Sequence, residues 1–532
     1  MQIVRGMMQR PVGAEIYRSL WRRKTAVFLL AFVALYCLTL ADVHTFDAIS
    51  YASFAQTPVS QQDLMIFLHP HHLAYHVLSK ALYAFWQMWG WAGGSLLPLQ
   101  ILSVALSFLG LAVFYRITSR LTKSSVALVV TALLALSHRY WLFSVDVEVY
   151  MLSLSFLILT MYYTLELQKH VSLRAGLVVG SLLGGAILAH QTNVLFLPII
   201  AIAVMTSKSA ALRQRIRVLL TLSVLAAVIV LIPYVISILV LRLDSWQAIV
   251  YWLTFYAHMD RWGGFHPKTL SMTVTGLRDA FIALSGGVPW QYSLPILVPL
   301  LVWFWQGYRA NRRVAGLCLL WLALYGTFFA WWSPGGEFWI TILPPSFLLL
   351  ALAMNSLSPR PMKVGLALLL LCAPLYGFSN WRIGVSAPER QVVIGGTKSA
   401  LAIAACMEPG ERVITTTTLY PLLSYYGRVR PVSLELLFYN AEMRQPGAVR
   451  EKALADLAQV IEDAIDEQQE IFVTGEALEG TPLSAKFGVG AAEIQDVLAP
   501  YRQTATSCSY VAGYGPGQPS FLVYRIERKP DQ

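Results

Sequence analysis

Residues 41–76, ADVHTFDAISYASFAQTPVSQQDLMIFLHPHHLAYH, hold three aspartates and five histidines. A carboxylate can take a proton from a hydroxyl nucleophile or bind a hard cation, and an imidazole can meet a metal, a phosphate oxygen or a sugar hydroxyl. In FDAISYA, Asp47 and Tyr51 are four residues apart, one turn on the same face of a helix. A plain helix cap is the competing role for Asp42 and Asp47. In SVDVEVYM, Asp146 and Glu148 stand two apart at the head of an apolar run. In extended chain both would point the same way and could face one cation, while in a helix they would diverge by about 200°. The dipole of a helix N-terminus also favours carboxylates there. In HPHHLAYH, a helix starting after Pro70 puts His72 and His76 on one face, a spacing that suits zinc, although no third ligand is indicated.

These groups are held by a membrane chain. Of 532 residues, 56% are hydrophobic and only 13% are charged, and the mean hydropathy is +0.57. That is too little charge to cover a soluble surface. EIYRSLWRRK followed by TAVFLLAFVALYCLTLA, with no small-x-small cleavage site, reads as a retained first span. About eleven spans are expected, near 25–40, 95–115, 125–138, 144–165, 175–190, 191–206, 218–241, 293–306, 314–332, 338–355 and 364–380. With the N-terminus cytoplasmic, 20 of the 26 Lys and Arg before residue 381 fall inside. The net charge of +11 is therefore a topology signature, not a nucleic-acid footprint: residues 1–380 carry +15 and 381–532 carry −4.

On that topology nine of the eleven acids before residue 381, and nine of the ten histidines, lie at the outer side. Ionisable groups near a membrane are expensive, so their gathering on one side marks where chemistry is expected. Two long outer loops, 41–94 and 242–292, are rich in aromatics and are expected to fold as interfacial helices. Residues 381–532 read as a soluble, extracytoplasmic α/β domain. ERVITTTT, EIFVTGEA and FLVYRIE are its strands, and VREKALADLAQVIEDAIDEQQ is an amphipathic helix. GYGPGQPS reads as a loop rather than a nucleotide site. Cys406 and Cys508 share this domain and could pair in an oxidising compartment, whereas Cys37, Cys318 and Cys372 lie in spans.

Acids directly after the first span, a D-x-E pair in the second outer loop, a His-Pro motif between them and an outer C-terminal domain together resemble the GT-C superfamily. These are membrane glycosyltransferases, among them aminoarabinose transferases, protein O-mannosyltransferases and oligosaccharyltransferases. DAISYA matches the D-x-x-x-Y-A form of the first-loop motif. HPHHLAY sits where the group often has [HK]-P-P-L-x-Y against the lipid phosphate, with His71 in place of the second proline and one residue inserted. WWSPGGEFWITILPP, with Glu337, is similar to a later segment of bacterial members.

The resemblance covers residues 1–380 and implies a GT-C-like, polytopic α-helical catalytic domain in the plasma (inner) membrane. It implies inverting transfer of a hexosyl or pentosyl group from a polyprenyl-phosphate-linked sugar to a glycan, lipid or protein acceptor at the outer face. Asp47 would be the catalytic base, and Tyr51, His69, His71, His72, Tyr75, His76 and Glu337 would contact substrate. Arg261, His266 and Lys268 in the second long loop are candidates to neutralise the phosphate. Asp146 and Glu148, with Asp47, could hold Mg²⁺ or Mn²⁺, although a monophosphate donor can also react without a metal. The competing class is a transporter or lipid flippase, in which the same groups would line an ion path. Against it, no span midplane carries an acid and no inverted repeat is visible.

Overall fold

Helices that are apolar on every side fall into two kinds here, those packed inside the bundle and those facing outward. The computed structural model describes residues 12–59, 63–259, 263–265, 268–283, 291, 294–333, 335–386, 391–479, 486–511 and 520–529. Ahead of the first outer loop lies α1 (Val12–Leu38), and within that loop lie α2 (Phe46–Gln56) and α3 (Leu73–Met88). Then come α4 (Leu96–Leu121), α5 (Ser124–Leu136), α6 (His138–Val145), α7 (Val149–Lys169), α8 (Leu173–Ala189) and α9 (Leu212–Leu241). They are followed by α10 (Arg312–Trp332), α11 (Phe338–Ser356) and α12 (Pro359–Val385). The most apolar stretch of α11 is 94% buried and that of α7 67%, so these form the centre. The same stretches of α9 and α12 are only 22% and 17% buried, and both present exposed leucines and valines.

Among the described residues six helices, α4, α7 and α9 to α12, are long and apolar enough to cross a membrane, or seven spans if the bent pair α5–α6 counts as one. Several of the eleven expected spans are shorter or broken. The run at 125–138 ends at Ser137, whose extended backbone turns α6 by 64° from α5. The break is stabilised because the Asn380 amide donates to Leu136 O at 2.8 Å and the Tyr376 hydroxyl donates to Ser137 Oγ at 2.9 Å. The run at 144–165 is broken by extended chain at residues 146–148 and resumes as helix at Val149, and those at 175–190 and 191–206 are the shorter helices Leu173–Ala189 and Gln191–Met205. α8 lies close against α9 through Gly176, Gly180 and Gly184. A Cβ on Gly180 would come within 2.6 Å of Leu222 O, so only glycine allows that approach.

The C-terminal unit is a five-stranded sheet in the order β2-β1-β3-β5-β4. β1 (Arg412–Thr415), β2 (Arg430–Ser433) and β3 (Ile471–Thr474) run parallel, while β4 (Tyr501–Val511) and β5 (Ser520–Arg528) add an antiparallel hairpin. α13 (Gln391–Ala404), α14 (Leu434–Arg444) and α15 (Val449–Asp466) accompany the sheet, the last where the acidic amphipathic pattern places it. Cys406 and Cys508 form a disulfide. GYGPGQPS, apart from its final Ser520, lies outside the described residues. The unit rests on the loops of the membrane part: Ser53 Oγ bonds Ser424 Oγ at 2.7 Å, and the Tyr251 hydroxyl donates to Glu442 at 2.6 Å. The Tyr420 hydroxyl also bonds Asp63.

Candidate active site

Thr45 is the residue from which the acidic site is built. Its extended backbone ends the loop after α1, and its hydroxyl caps α2 by accepting from Ala48 N at 3.0 Å. The same hydroxyl donates to Glu148 Oε1 at 2.9 Å, and Thr45 N donates to Asp146 Oδ2 at 3.2 Å. One residue thus fixes both the start of α2, with Asp47 in its first turn, and the loop before α7. Asp146 and Glu148 are both in extended conformation, so the pair faces the same way, as the two-residue spacing requires. The two loops are further joined by Ala41 N to Val145 O at 3.0 Å. Gln100 holds both carbonyls, Ala41 O at 3.0 Å and Val145 O at 2.9 Å.

The two acids of the pair have different surroundings. Asp146 is fully buried, and its Oδ1 meets His44 Nδ1 at 2.7 Å and Val147 N at 2.9 Å while Oδ2 takes Thr45 N. Glu148 is also buried, but its Oε2 has no hydrogen-bond partner among the described residues. Asp146 is therefore the clamp and Glu148 the group left available. Of the three acids expected to share a cation, Glu148 Oε2 and Asp47 have no hydrogen-bond partner among the described residues, while both oxygens of Asp146 already accept hydrogen bonds. Among the described residues no group of three or more His, Cys, Asp or Glu is placed to hold a metal.

Asp47 opens onto solvent-sized space and has no hydrogen-bond or ion-pair partner among the described residues. Protein nevertheless crowds that space deeply. The resulting loss of hydration, and then the charge of Glu337, push its carboxyl up to about 6. Asp47 and Glu148 also interact with each other, and Glu148 feels Asp146 and Glu337. The four acids expected from sequence are thus brought together. Glu337 follows Gly335 and Gly336, and a Cβ on Gly336 would lie 2.5 Å from a guanidinium nitrogen of Arg139. Arg139 at the head of α6, a cation that spacing arguments did not single out, is therefore beside this corner of the site.

Beyond the acids lies a wall of rings. Tyr51 is within electrostatic reach of Asp47, Glu148, Tyr150 and Tyr256, and it packs on Tyr75 at 5.2 Å and His76 at 5.5 Å. Tyr256 from the second long loop lies 4.6 Å from His69 and 4.8 Å from His71. His190, at the end of α8, was not expected here, and its ring is 5.0 Å from that of His72. The rings of His72 and His76 are 6.4 Å apart and His76 Nδ1 bonds Phe67 O at 2.7 Å, but among the described residues no third His, Cys, Asp or Glu is placed to complete a zinc site with them. Lys268 is exposed at the start of the helix Thr269–Phe281, and Arg261 and His266 lie outside the described residues.

No curated protein sequence matches the chain. The profile of the family described as dolichyl-phosphate-mannose-protein mannosyltransferase matches residues 79–236. The crystal structure of ArnT from Cupriavidus metallidurans bound to undecaprenyl phosphate is similar over 94% of this chain and 97% of that one, with a TM-score of 0.62 at 14% identity. The chain has the fold of that structure. The archaeal oligosaccharyltransferase AglB from Archaeoglobus fulgidus, in complex with an inhibitory peptide and a dolichol-phosphate, is similar over 95% of this chain and 74% of that one. Its TM-score is 0.50 at 10% identity. In this fold Asp47 sits in the first turn of α2 and Asp146 and Glu148 sit between α6 and α7, joined through Thr45.

Proposed function

We propose that the protein is an inverting glycosyltransferase that takes a sugar from a polyprenyl-phosphate donor and passes it to an acceptor at the outer face of the membrane. The observation that carries this reading is the gathering of Asp47, Glu148 and Glu337 beside a wall of tyrosines and histidines in a GT-C fold. Undecaprenyl phosphate in ArnT and dolichol-phosphate in AglB support a lipid phosphate as the donor's carrier.

A sugar or other hydroxyl is a weak nucleophile, so a base must take its proton as it attacks the anomeric carbon. Asp47 has no partner among the described residues, opens onto the site and has a carboxyl raised towards neutrality, which suits that role. Glu148 and Glu337 accept hydrogen bonds from sugar hydroxyls and keep the nucleophile's side negative. The tyrosines, and behind them the imidazoles, face the departing phosphate. Asp146 holds the loops in place and ligates nothing in this scheme, which runs without a metal step. An apolar groove of about 500 Å³ on α10, lined by Phe265, Leu324, Phe328 and Trp331, suits the isoprenoid chain. Its end is joined to the site because Trp332 stacks on Phe328 and on His71. The C-terminal α/β unit lies outside the membrane over the outer loops, with the eleven-span topology returning the chain to that side.

The test is to incubate purified protein with a panel of labelled polyprenyl-phosphate sugars and watch for free polyprenyl phosphate and a labelled acceptor. Consumption of one donor supports the reading. Uptake of a solute into proteoliposomes with every donor left intact overturns it in favour of transport.

A further inference from the structure

Five imidazoles, His69, His71, His72, His76 and His190, form one cluster with ring centroids 5.0 Å apart for His72 and His190, 5.1 Å for His69 and His71, 6.1 Å for His71 and His190, and 6.4 Å for His72 and His76. All five are buried. His69 Nε2, His72 Nδ1, His76 Nε2 and His190 Nε2 have no hydrogen-bond partner among the described residues. Buried polar atoms are normally satisfied, so four orphans in one place point to an absent ligand.

Hydrogen bonds at the rim settle what some of these nitrogens carry. His69 Nδ1 accepts from His71 N at 3.2 Å, so the neutral ring bears its proton on Nε2, as a donor with nothing to donate to. His76 Nδ1 lies 2.7 Å from Phe67 O, a pure acceptor, so it must be the protonated nitrogen and Nε2 is a bare lone pair. His190 Nδ1 is taken by the Thr192 hydroxyl at 2.7 Å. The neutral cluster thus offers at least one free N–H, and it gains more only by gaining protons.

Among the described residues the groups around it do not supply an anion. Tyr51 from α2, backed by Tyr75 from α3, and Tyr150 from α7, Tyr256, Trp332 and Phe338 face the rings. The electrostatic neighbours resolved for His69, His71 and His72 are only other histidines, while the acids Asp47, Glu148 and Glu337 bear on the tyrosines instead. Burial and mutual repulsion hold His69 and His72 well below the usual histidine range. Burial pushes His71 down to about 3 and His76 to about 4. Empty, the cluster is therefore neutral. A donor phosphodiester, with one negative charge and several acceptor oxygens, would oppose both effects, and the monoester dianion released from it would oppose them more strongly.

We propose that this five-histidine cluster, His190 included, is a proton-loading seat for the lipid phosphate: binding the phosphate draws in at least one proton, which the cluster gives to the departing phosphate oxygen. The proposal rests on the donor reading above. In the transfer, the acceptor oxygen forms its bond to the anomeric carbon and its proton goes to Asp47. The anomeric C–O bond breaks with its electron pair on the phosphate oxygen, and an imidazolium N–H of the cluster protonates that oxygen. The products are the glycosylated acceptor and a monoprotonated polyprenyl phosphate, with Asp47 protonated and one histidine neutral. Solvent exchange restores both.

The test is titration calorimetry of the full-length protein in detergent with farnesyl phosphate, run at pH 8 in two buffers of different ionisation heat. At pH 8 a free phosphate monoester is a dianion, its second pKa being about 6. Uptake of about one proton per ligand is expected, with the dissociation constant rising about tenfold per pH unit above neutrality. His190→Gln, checked for an unchanged melting profile, is expected to cut the uptake by more than half and to weaken binding at pH 7 more than at pH 9. If His190→Gln does not fold, the wild-type uptake and pH slope decide alone. Tight binding with no proton uptake and a flat pH dependence overturns the seat while leaving the donor reading in place. Failure to bind farnesyl phosphate at any pH by an enzyme that still consumes a polyprenyl-phosphate sugar also overturns the seat. Failure in both assays overturns the donor reading with it.

Discussion

Replacing Glu337 by Gln should change the pH dependence of sugar transfer in a direction and by an amount that the site sets. Asp47 must be ionised to act as base, and its carboxyl is raised from 3.8 to about 6, first by burial and second by the charge of Glu337. The sign follows from an acid with a raised pKa: activity is present above about pH 6 and is lost as pH falls through it. In the wild type about one tenth of Asp47 is ionised at pH 5 and about nine tenths at pH 7, so the rate should climb roughly tenfold between them. Gln keeps the shape of Glu337 and removes its charge. Because that charge is the smaller of the two causes, the acid limb should move down, by less than about one pH unit. The ratio of kcat/KM at pH 5 to that at pH 7 then rises from about one tenth towards, and not beyond, about one half. Release of polyprenyl phosphate from labelled donor, followed from pH 4.5 to 8.5, measures it, and the ratio is insensitive to any uniform loss of substrate binding. A limb that stays in place or moves up would refute the electrostatic link between Glu337 and Asp47.

Two further outcomes are expected. Asp146→Ala removes the buried acceptor of His44 Nδ1, Thr45 N and Val147 N, and should destabilise the protein by about 3 to 5 kcal/mol, whereas Asp146→Asn, which keeps an acceptor oxygen, should lose less. Thermal melts of the two variants in detergent rank them, and equal melting points would remove Asp146 as the clamp. Reduction of Cys406–Cys508 opens a closure spanning 102 residues, for which chain entropy sets a loss of up to about 4 to 5 kcal/mol. Intrinsic fluorescence should show the C-terminal unit melting earlier under reductant, and an unchanged melt would contradict that stabilisation.

The paired acids were legible from the sequence because short-range geometry fixes them. Asp47 and Tyr51 lie on one helix face, and the extended backbone at Asp146 and Glu148 keeps both carboxylates on one side. Which of the pair is free was not legible, since it depends on His44 and Thr45 arriving from about a hundred residues away. His190 and Gln100 join the site only through helix packing, so no local spacing announces them. Fewer long apolar helices than the eleven expected spans are seen among the described residues, because helices bend or stop for local reasons, as at Ser137, and because extended chain interrupts an apolar run, as at residues 146–148. In the C-terminal unit the buried strands β1 and β3 show in the sequence as apolar runs, and β5 does too. β4, YRQTATSCSYV, was missed because it is a largely exposed edge strand with little apolar content.

The central claim is that Asp47 is the base, and Asp47→Asn tests it most directly. The variant keeps the shape of the side chain and should melt as the wild type does and still bind farnesyl phosphate. Its release of polyprenyl phosphate from the donor that the wild type consumes should fall by a factor on the order of 10² to 10⁴. Turnover by Asp47→Asn within about threefold of wild type at pH 7 would contradict the assignment of Asp47 as base.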